Sequence, residues 1–505
     1  MQTIKLNQAN LHTISGKVAV PLYSRKDLVP RICHIGLGHF HRSHQAAYLD
    51  ELLSRGLCNS GIAEINLAPD PYPVDRIAGA QDYLYTLVSK SARGEESARV
   101  IGSLLSYINI QDVTGTIDGW ITRQCDLITV TVTEKGYHYD AASGDISWDH
   151  GPIQQDLAHP LKAGAPFKPQ TLAGFLSAYL SLRYKTRAPL TIMSCDNIPN
   201  NGKVLRKCVL AFCRALYPET VSWVEESVAF PSTMVDRITP GTTREAIEHV
   251  GEVYGIDDQW TVCCEDFRQW VVEDNFLTPV SGRGGIFPLE NLADTGVQLT
   301  GDVEPYELMK IRLLNGSHSA LSYPSYLLGH RDVAEAVLDP LIGEFVRRRY
   351  MEEITVTLSP VPGIDLSSYK DTLISRFSNR NIADTVLRLA QDGSRKIPNS
   401  ILTPLAEAVN QGQKHEAVVF ALAAWARFLE GRDEGGVPIP LDDANGAAVA
   451  AAAGTAQENP EQFLKVIGLN GISGEAFTKL TGMFAAYLKE IHAQGIRGAL
   501  QRFIG

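Results

Sequence analysis

At 505 residues the chain exceeds what one hydrophobic core ordinarily organises, so two or three domains are expected. A hydrophobic content of 44% with 20% charged residues describes a globular chain and excludes a disordered one. The net charge of −11 excludes a broad nucleic-acid surface, which needs a basic excess.

Residues 1–30 read as an extended, polar arm without the apolar region of a signal peptide. Arg31–Gly36 (RICHIG) reads as a short buried strand, with Gly36 and Gly38 directly after it. His44–Arg55 is amphipathic and helical, and Gly61–Leu67 reads as the next strand. Strand, Gly-x-Gly turn, helix and strand within about 35 residues form a dinucleotide-binding βαβ unit. His41 stands where a third glycine is usual. Glu64 and Asp70 are both available near the end of the second strand to hold ribose hydroxyls. Leu127–Val132 and Leu190–Cys195 read as further buried strands, ending in Thr133-Glu134-Lys135-Gly136 and Asp196-Asn197. A helix over Lys203–Leu216 and a strand over Ala229–Asp236 follow. Strand C-termini that run into polar loops are where doubly wound sheets bind ligands. One α/β sheet is expected through about residue 285, with Gly282–Leu289 as the linker.

Helical periodicity then dominates, over Asp332–Met351, Ser367–Gln391, Thr403–Asn410, Glu416–Glu430, Asn445–Ala456 and Gly474–Phe503. The expected layout is an α/β Rossmann-type dinucleotide-binding domain over 1–285 and a mostly α-helical domain over 286–505, with substrate in a cleft. The longest apolar runs fall short of the ~20 residues of a membrane span. Eight scattered cysteines form no CxxC pair and no zinc ligand set, so no metal is expected. Free thiols in a reducing, cytoplasmic compartment are the expectation.

The chemically richest stretch is 304–320, EPYELMKIRLLNGSHSA, which sets Glu307, Lys310, Asn315 and His318 into an apolar helical frame. It reads either as an amphipathic helix whose Lys310 snorkels beside Glu307, or as a proton-transfer site. On an ideal helix Lys310 and His318 lie about 80° apart and Lys310 and Asn315 about 140° apart. Convergence of all four therefore requires the helix to bend or the substrate to wrap its end, and Gly316, beside Asn315, is where a local irregularity is expected. Tyr306 and Lys310 make a YxxxK spacing, but too far along the chain for the short-chain dehydrogenase motif. Arg347-Arg348-Arg349 reads as a solvated face, and Trp260, Trp270, Cys263 and Cys264 read as packing.

The segments GLGHFHRSHQAAY, TVTEKGY, MSCDN, FPSTMVDRITP, EDFRQWVVEDNF and KIRLLNGSH, with KLNQANL, PGIDL and RFSN, resemble the polyol-specific long-chain dehydrogenases, and the mannitol-acting members most. The resemblance implies metal-independent NAD chemistry on a polyol/ketose pair, D-mannitol and D-fructose, by a monomer. It implies Lys310 as general base, because an ammonium among apolar groups is pushed toward its neutral form. Asn197 and Asn315 are then donors to the developing alkoxide, His318 orients hydroxyls and Glu307 passes the proton outward. Asp236, Arg388 and Lys396 hold the rest of the substrate. Gly36, Gly38 and Phe40 form the cofactor turn, Asp70 excludes a 2′-phosphate, and Thr133 and Glu134 face the nicotinamide.

Where mannitol-acting members carry an acidic pair and an arginine after the second strand, this chain has Asp70-Pro71-Tyr72. The strand AEINL is closer to the related uronate reductases, whereas Arg388 differs from what fructuronate-type enzymes carry there. D-arabitol, D-sorbitol, fructuronate and tagaturonate therefore stay open as substrates. A non-catalytic dinucleotide-binding protein is the alternative of another class.

Overall fold

The structure is a computed structural model. It describes every residue except 1–2, 71, 112–124, 141–142, 163–166, 278–287, 383 and 444. The chain divides into two compact units, Met1–Ser91 with Glu95–Glu304, and Ala92–Gly94 with Pro305–Gly505. The expected 285/286 boundary and most of the expected linker lie outside the described residues. Residues 288–304 belong with the first unit.

The first unit is built on six parallel strands, β1 (Val29–Ile35), β2 (Ser60–Asn66), β3 (Leu104–Asn109), β4 (Leu127–Val130), β5 (Leu190–Ser194) and β6 (Val228–Ala229). Their order across the sheet is 3-2-1-4-5-6, that of a Rossmann fold. The strand order reverses between β1 and β4, so the residues that leave these two strands flank the switch point where such sheets take ligands. β4 reads as an unbroken apolar or small run, and the buried core of β1 as one interrupted only by His34, because both faces of the sheet are covered. Helices Leu172–Arg183 and Asn201–Leu216 pack together on one face, with Phe175, Leu176, Leu205 and Phe212 wholly buried. Helix Gln45–Ser54 serves the core that contains Ile32, Ile62, Leu104 and Leu127.

The expected single sheet is corrected to several. Ala229–Asp236 is not one strand: it breaks at Pro231, which has no N–H to give a central ladder. Its second half, Thr233–Asp236, pairs antiparallel with Gln269–Glu273 in a separate sheet that Gln298–Thr300 completes. A third sheet joins Val262–Glu265 to Tyr85–Lys90 and Glu96–Ile101. The N-terminal arm is folded rather than extended. Ile4–Lys5 pairs with Ile256–Asp257, and Leu6 and Ile14 enter a core with Leu84, Val88, Val100 and Ile256.

The second unit is helical around Glu416–Leu429, which is buried on all sides and packs against helix Gly316–Leu327 and the stretch Gly474–Ile504, itself broken into two helices at Gly495 (φ +70°). Thr403–Asn410 has the expected bounds. Asp332–Met351 is corrected to a broken series, because Pro340 starts a new helix capped by the Asp339 side chain on the Leu341 N–H. Ser367–Gln391 likewise divides into Leu366–Phe377 and Val386–Ala390. No helix among the described residues is long and apolar enough to cross a membrane.

Ile14, fully buried, ties the arm to the first unit's third core. Ile14→Ala is expected to cost about 2–5 kcal/mol through lost burial and the cavity left behind. Urea unfolding followed by tryptophan fluorescence measures this, and a loss below about 1 kcal/mol would show that the arm contributes little.

Candidate active site

At the switch point, Gly36 leaves β1 with φ +106°, and a Cβ there would strike the Thr131 carbonyl leaving β4. Only glycine satisfies both the dihedral and the approach. At Gly38 the nearest atom to a built Cβ is the Gly36 carbonyl oxygen at 3.9 Å, so the space above this second glycine is open to a ligand. The short helix His39–Ser43 starts there, and Phe40 is half-buried against the His44 ring at 4.9 Å. This is the backbone needed by a dinucleotide's phosphates.

Below the turn, His41 fills the position of the third glycine. It stacks on His34 with ring centroids 3.4 Å apart and sets its Nε2 2.7 Å from Glu64 Oε1. Burial pushes both imidazoles down to about 3 and the Glu64 carboxyl up to about 7. Glu64 is therefore committed to the interior, and of the two expected acids only Asp70 is partly exposed. His34, His41 and Glu64 have ligand atoms within 4.8 Å of one another. Parallel stacked rings nevertheless cannot aim both in-plane lone pairs at one ion, and both His34 nitrogens already face Thr129 and Thr131 hydroxyls at 2.7 and 2.9 Å.

Asp70 is half-buried and fixed from two sides. Tyr107 Oη donates to its carboxylate at 2.5 Å, and Asn66 Nδ2 donates at 2.7 Å. The same Asn66 accepts the Leu37 N–H of the glycine turn at 2.9 Å. Pro71 lies outside the described residues, and Tyr72 is exposed.

Beyond β4, Thr133 and Glu134 are exposed at the sheet's ligand edge, with Thr133 at φ +66°, ψ 165°. That region belongs almost entirely to glycine. The Asp196 carboxylate, at the end of β5, accepts the Val132 and Thr133 N–H groups at 3.1 and 2.9 Å and the Tyr137 hydroxyl at 2.7 Å. Asn197 follows it and is exposed. Asp236 is buried at the end of its strand. Its neighbour Arg237 is structural: it donates to the Ser43 carbonyl at 2.5 Å and twice to the Glu265 carbonyl, clamping the helix that follows the glycine turn.

In the second unit the helix yields where convergence demanded it. Glu304–Met309 is α-helical, Lys310–Asn315 is π-helical, and Gly316–Leu327 is α-helical again. The Gly316 N–H reaches back five residues to the Ile311 carbonyl. Five-residue closure aligns residues i and i+5, so Lys310 and Asn315 fall on one side instead of about 140° apart. Glu307 and Lys310 are buried, whereas Asn315 and His318 are half-buried, His318 against Phe377 at 4.9 Å. Tyr306 donates its hydroxyl to the Pro362 carbonyl at 2.6 Å.

Two further π-helical segments, Phe345–Tyr350 and Pro398–Leu402, frame this one. A Cβ on Gly316 would strike the Tyr350 hydroxyl and come within 2.9 Å of the Ser400 carbonyl oxygen. From the opposite side Arg312 grips Glu407 with both Nη atoms, at 2.5 and 2.8 Å, and the Thr357 carbonyl at 2.7 Å. Lys396 is exposed on Gly393–Ile397, directly before the Pro398 segment. Arg388 is exposed and forked onto Asp384. Arg347 pairs with Asp371 and Glu352, as a solvated face does.

The sequence reading passes over Asp196, Asn66, Tyr107, Arg237 and Arg312. Asp196 alone carried a signal, an acid at the C-terminal end of a buried strand. The others are ordinary polar residues whose partners lie up to 194 positions away.

The Mannitol dehydrogenase Rossmann domain family matches residues 30–280, and the Mannitol dehydrogenase C-terminal domain family matches residues 302–491. Mannitol 2-dehydrogenase from Aspergillus fumigatus is 36% identical over 515 residues, covering 100% of both chains. The Pseudomonas fluorescens mannitol 2-dehydrogenase, solved as a ternary complex with NAD and D-mannitol, is 36% identical over 99% of each chain, with a TM-score of 0.83. A substrate-free D-sorbitol dehydrogenase structure is 29% identical, covering 98% of this chain and 100% of its own, with a TM-score of 0.86.

Gly316→Ala is expected to lower the thermal midpoint by several degrees, since both neighbours must give way. Tyr350→Phe removes the nearer one at little cost, because the buried hydroxyl has no hydrogen-bond partner. The double variant is then expected to regain part of the loss in a double-mutant cycle. Strict additivity would place the crowding elsewhere.

Proposed function

The chain belongs to the mannitol dehydrogenase family, and from that premise we propose that it is a metal-independent, NAD-dependent polyol dehydrogenase interconverting D-mannitol and D-fructose. The observation that carries the reading is the π-helical register that brings buried Lys310 and half-buried Asn315 to one side of a helix. A buried lysine without a task is a burden on the fold, whereas a general base profits from surroundings that disfavour its charged form.

In this reading the Lys310 amine takes the proton from the reacting hydroxyl. Asn315 and Asn197 donate hydrogen bonds to the oxygen as it becomes alkoxide-like, which lowers the barrier more than the ground state. Glu307, one helical turn before Lys310, passes the proton outward. His318 orients neighbouring hydroxyls, and Asp236, Arg388 and Lys396 hold the rest of the polyol. Bound NAD supplies the acceptor for the hydride released from the carbinol carbon. The glycine turn at Gly36, Gly38 and Phe40 receives its phosphates and the Asp70 carboxylate its ribose hydroxyls. Thr133 and Glu134 face its reactive end. A carboxylate at Asp70 repels a 2′-phosphate, which favours NAD over NADP. The eight cysteines, all free, suit a reducing compartment, and the reading takes the protein as a cytoplasmic monomer.

D-sorbitol is the second substrate reading, favoured by the 29% identity to the D-sorbitol dehydrogenase. Both hexitols give D-fructose on oxidation at C2. The uronate reading needs a cation for the substrate carboxylate, and Arg388 is already forked onto Asp384.

Absorbance of NADH over a panel of polyols, ketoses and uronates with NAD and NADP tests the proposal. Turnover of D-mannitol with NAD is expected. Failure of every polyol alongside reduction of fructuronate or tagaturonate would overturn it. Lys310→Ala is expected to remove turnover, by at least about a thousandfold in kcat, while NADH still binds. Retention of most activity would take the role of base away from Lys310.

A further inference from the structure

Three strand ends in the first unit meet at one buried residue, Asp196. Asp196 Oδ1 accepts the Thr133 N–H at 2.9 Å, and Oδ2 accepts the Val132 N–H at 3.1 Å and the Tyr137 hydroxyl at 2.7 Å. That hydroxyl also lies 2.6 Å from Ser194 Oγ, two residues before Asp196 itself. The Asp196 carbonyl accepts Asn201 Nδ2 at 2.9 Å, and the same amide nitrogen bonds the Thr233 carbonyl at 2.8 Å while Asn201 Oδ1 accepts the Thr233 N–H at 2.9 Å. Thr233 begins the short strand that ends at Asp236. All of these groups except Val132 and Thr133 are buried.

The carboxylate solves a specific problem. Thr133 sits at φ +66°, where a side-chain-bearing residue is unfavourable, and two successive N–H groups point the same way. Only an acceptor with several lone pairs can hold both N–H groups and a phenol at once, and an ionised carboxylate is the side chain that offers them. An asparagine of the same shape would turn an NH2 toward a donor.

We infer that Asp196 is a positioning residue of the reaction, holding the exposed Thr133–Glu134 backbone and the adjoining Asn197 on one anchor, with Asn201 extending the hold to the strand of Asp236. The inference rests on the dinucleotide reading above, in which Thr133 faces the reactive end of the cofactor and Asn197 the alkoxide. The anchor therefore sets the relation between hydride acceptor and oxyanion donor without touching either reactant. Its carboxylate has no hydrogen bond to the glycine turn or to Asp70 among the described residues, and reaches the turn only through the Thr131–Val132 peptide, whose carbonyl lies against Gly36. The adenosine end is therefore less directly held by it than the loop carrying Thr133 and Glu134.

That difference in directness gives the test. Affinities for ADP-ribose and for NADH are measured by calorimetry on wild type and Asp196→Asn, with kcat and thermal midpoint alongside. ADP-ribose affinity is expected to stay within about twofold, while NADH affinity and kcat each fall about tenfold or more, since small misplacements at a reacting centre cost that much. Thr133→Gly, which needs no clamp to reach φ +66°, is expected to return part of the lost kcat when added to Asp196→Asn. An unchanged ratio of NADH to ADP-ribose affinity would overturn the inference, as would a loss that Thr133→Gly leaves untouched. If Asp196→Asn does not fold, Tyr137→Phe decides: a smaller fall in the same ratio upholds the inference, and a constant ratio overturns it. Wild-type protein that binds neither nucleotide would instead overturn the dinucleotide reading, and the inference with it.

Discussion

One backbone hydrogen bond, from the Gly316 N–H to the Ile311 carbonyl, sets the register of the stretch that carries Lys310 and Asn315. It closes five residues instead of four and so changes the angular account of everything between Lys310 and Asn315. In a regular helix Lys310 and Asn315 would face apart. The wider turn is itself weakly favoured, and the surroundings hold it. Arg312 ties one side to Glu407 and Thr357, and the bare Cα of Gly316 lets the Tyr350 and Ser400 segments close on the other. Those two segments are π-helical as well, so three such irregularities share one locality. Clustered departures from regular geometry are the pattern of a functional site whose neighbours over-determine its shape.

The first unit applies a different economy. Its sheet is regular, and the ligand-facing features come from what leaves the strands. Gly36 passes under the Thr131 carbonyl, Asp196 gathers the loop after β4, and Arg237 fastens the helix after the glycine turn. Polar groups are deep here, with His34, His41 and Glu64 on or under the central strands. Burial keeps the imidazoles of His34, His41 and His44 neutral, so these three are packing material rather than acid–base groups.

Much of this was legible in the sequence. Strand, glycine turn, helix and strand appear within a residue or two of their expected places, because apolar runs bounded by glycine and polar residues leave few alternatives. Thr403–Asn410 is delimited by the same logic. Where the reading failed, proline was the agent: Pro231 splits an apparent strand between two sheets, and Pro340 restarts an apparent long helix. The π register could not be read, since its dihedrals and composition are those of an ordinary helix. Only the demand that Lys310 and Asn315 share a side pointed to it. Asn66, Tyr107 and Arg312 were illegible for another reason, namely that a polar residue's importance depends on partners that the fold, not the local sequence, supplies.

Asn66 joins two features that the proposed function assigns to cofactor recognition. Its carbonyl oxygen accepts from the backbone of the glycine turn and its amide donates to Asp70, so the turn and Asp70 are parts of one hydrogen-bonded body. On the proposed reading, cofactor preference is therefore not a modular property of a single acidic position. Exchanging Asp70 for a neutral or basic residue, the obvious route to accepting a 2′-phosphate, would strand the Tyr107 hydroxyl and the Asn66 amide and loosen the phosphate turn in the same stroke. A variant built to change nucleotides would have to replace all three side chains together, as a unit of inheritance rather than a switch.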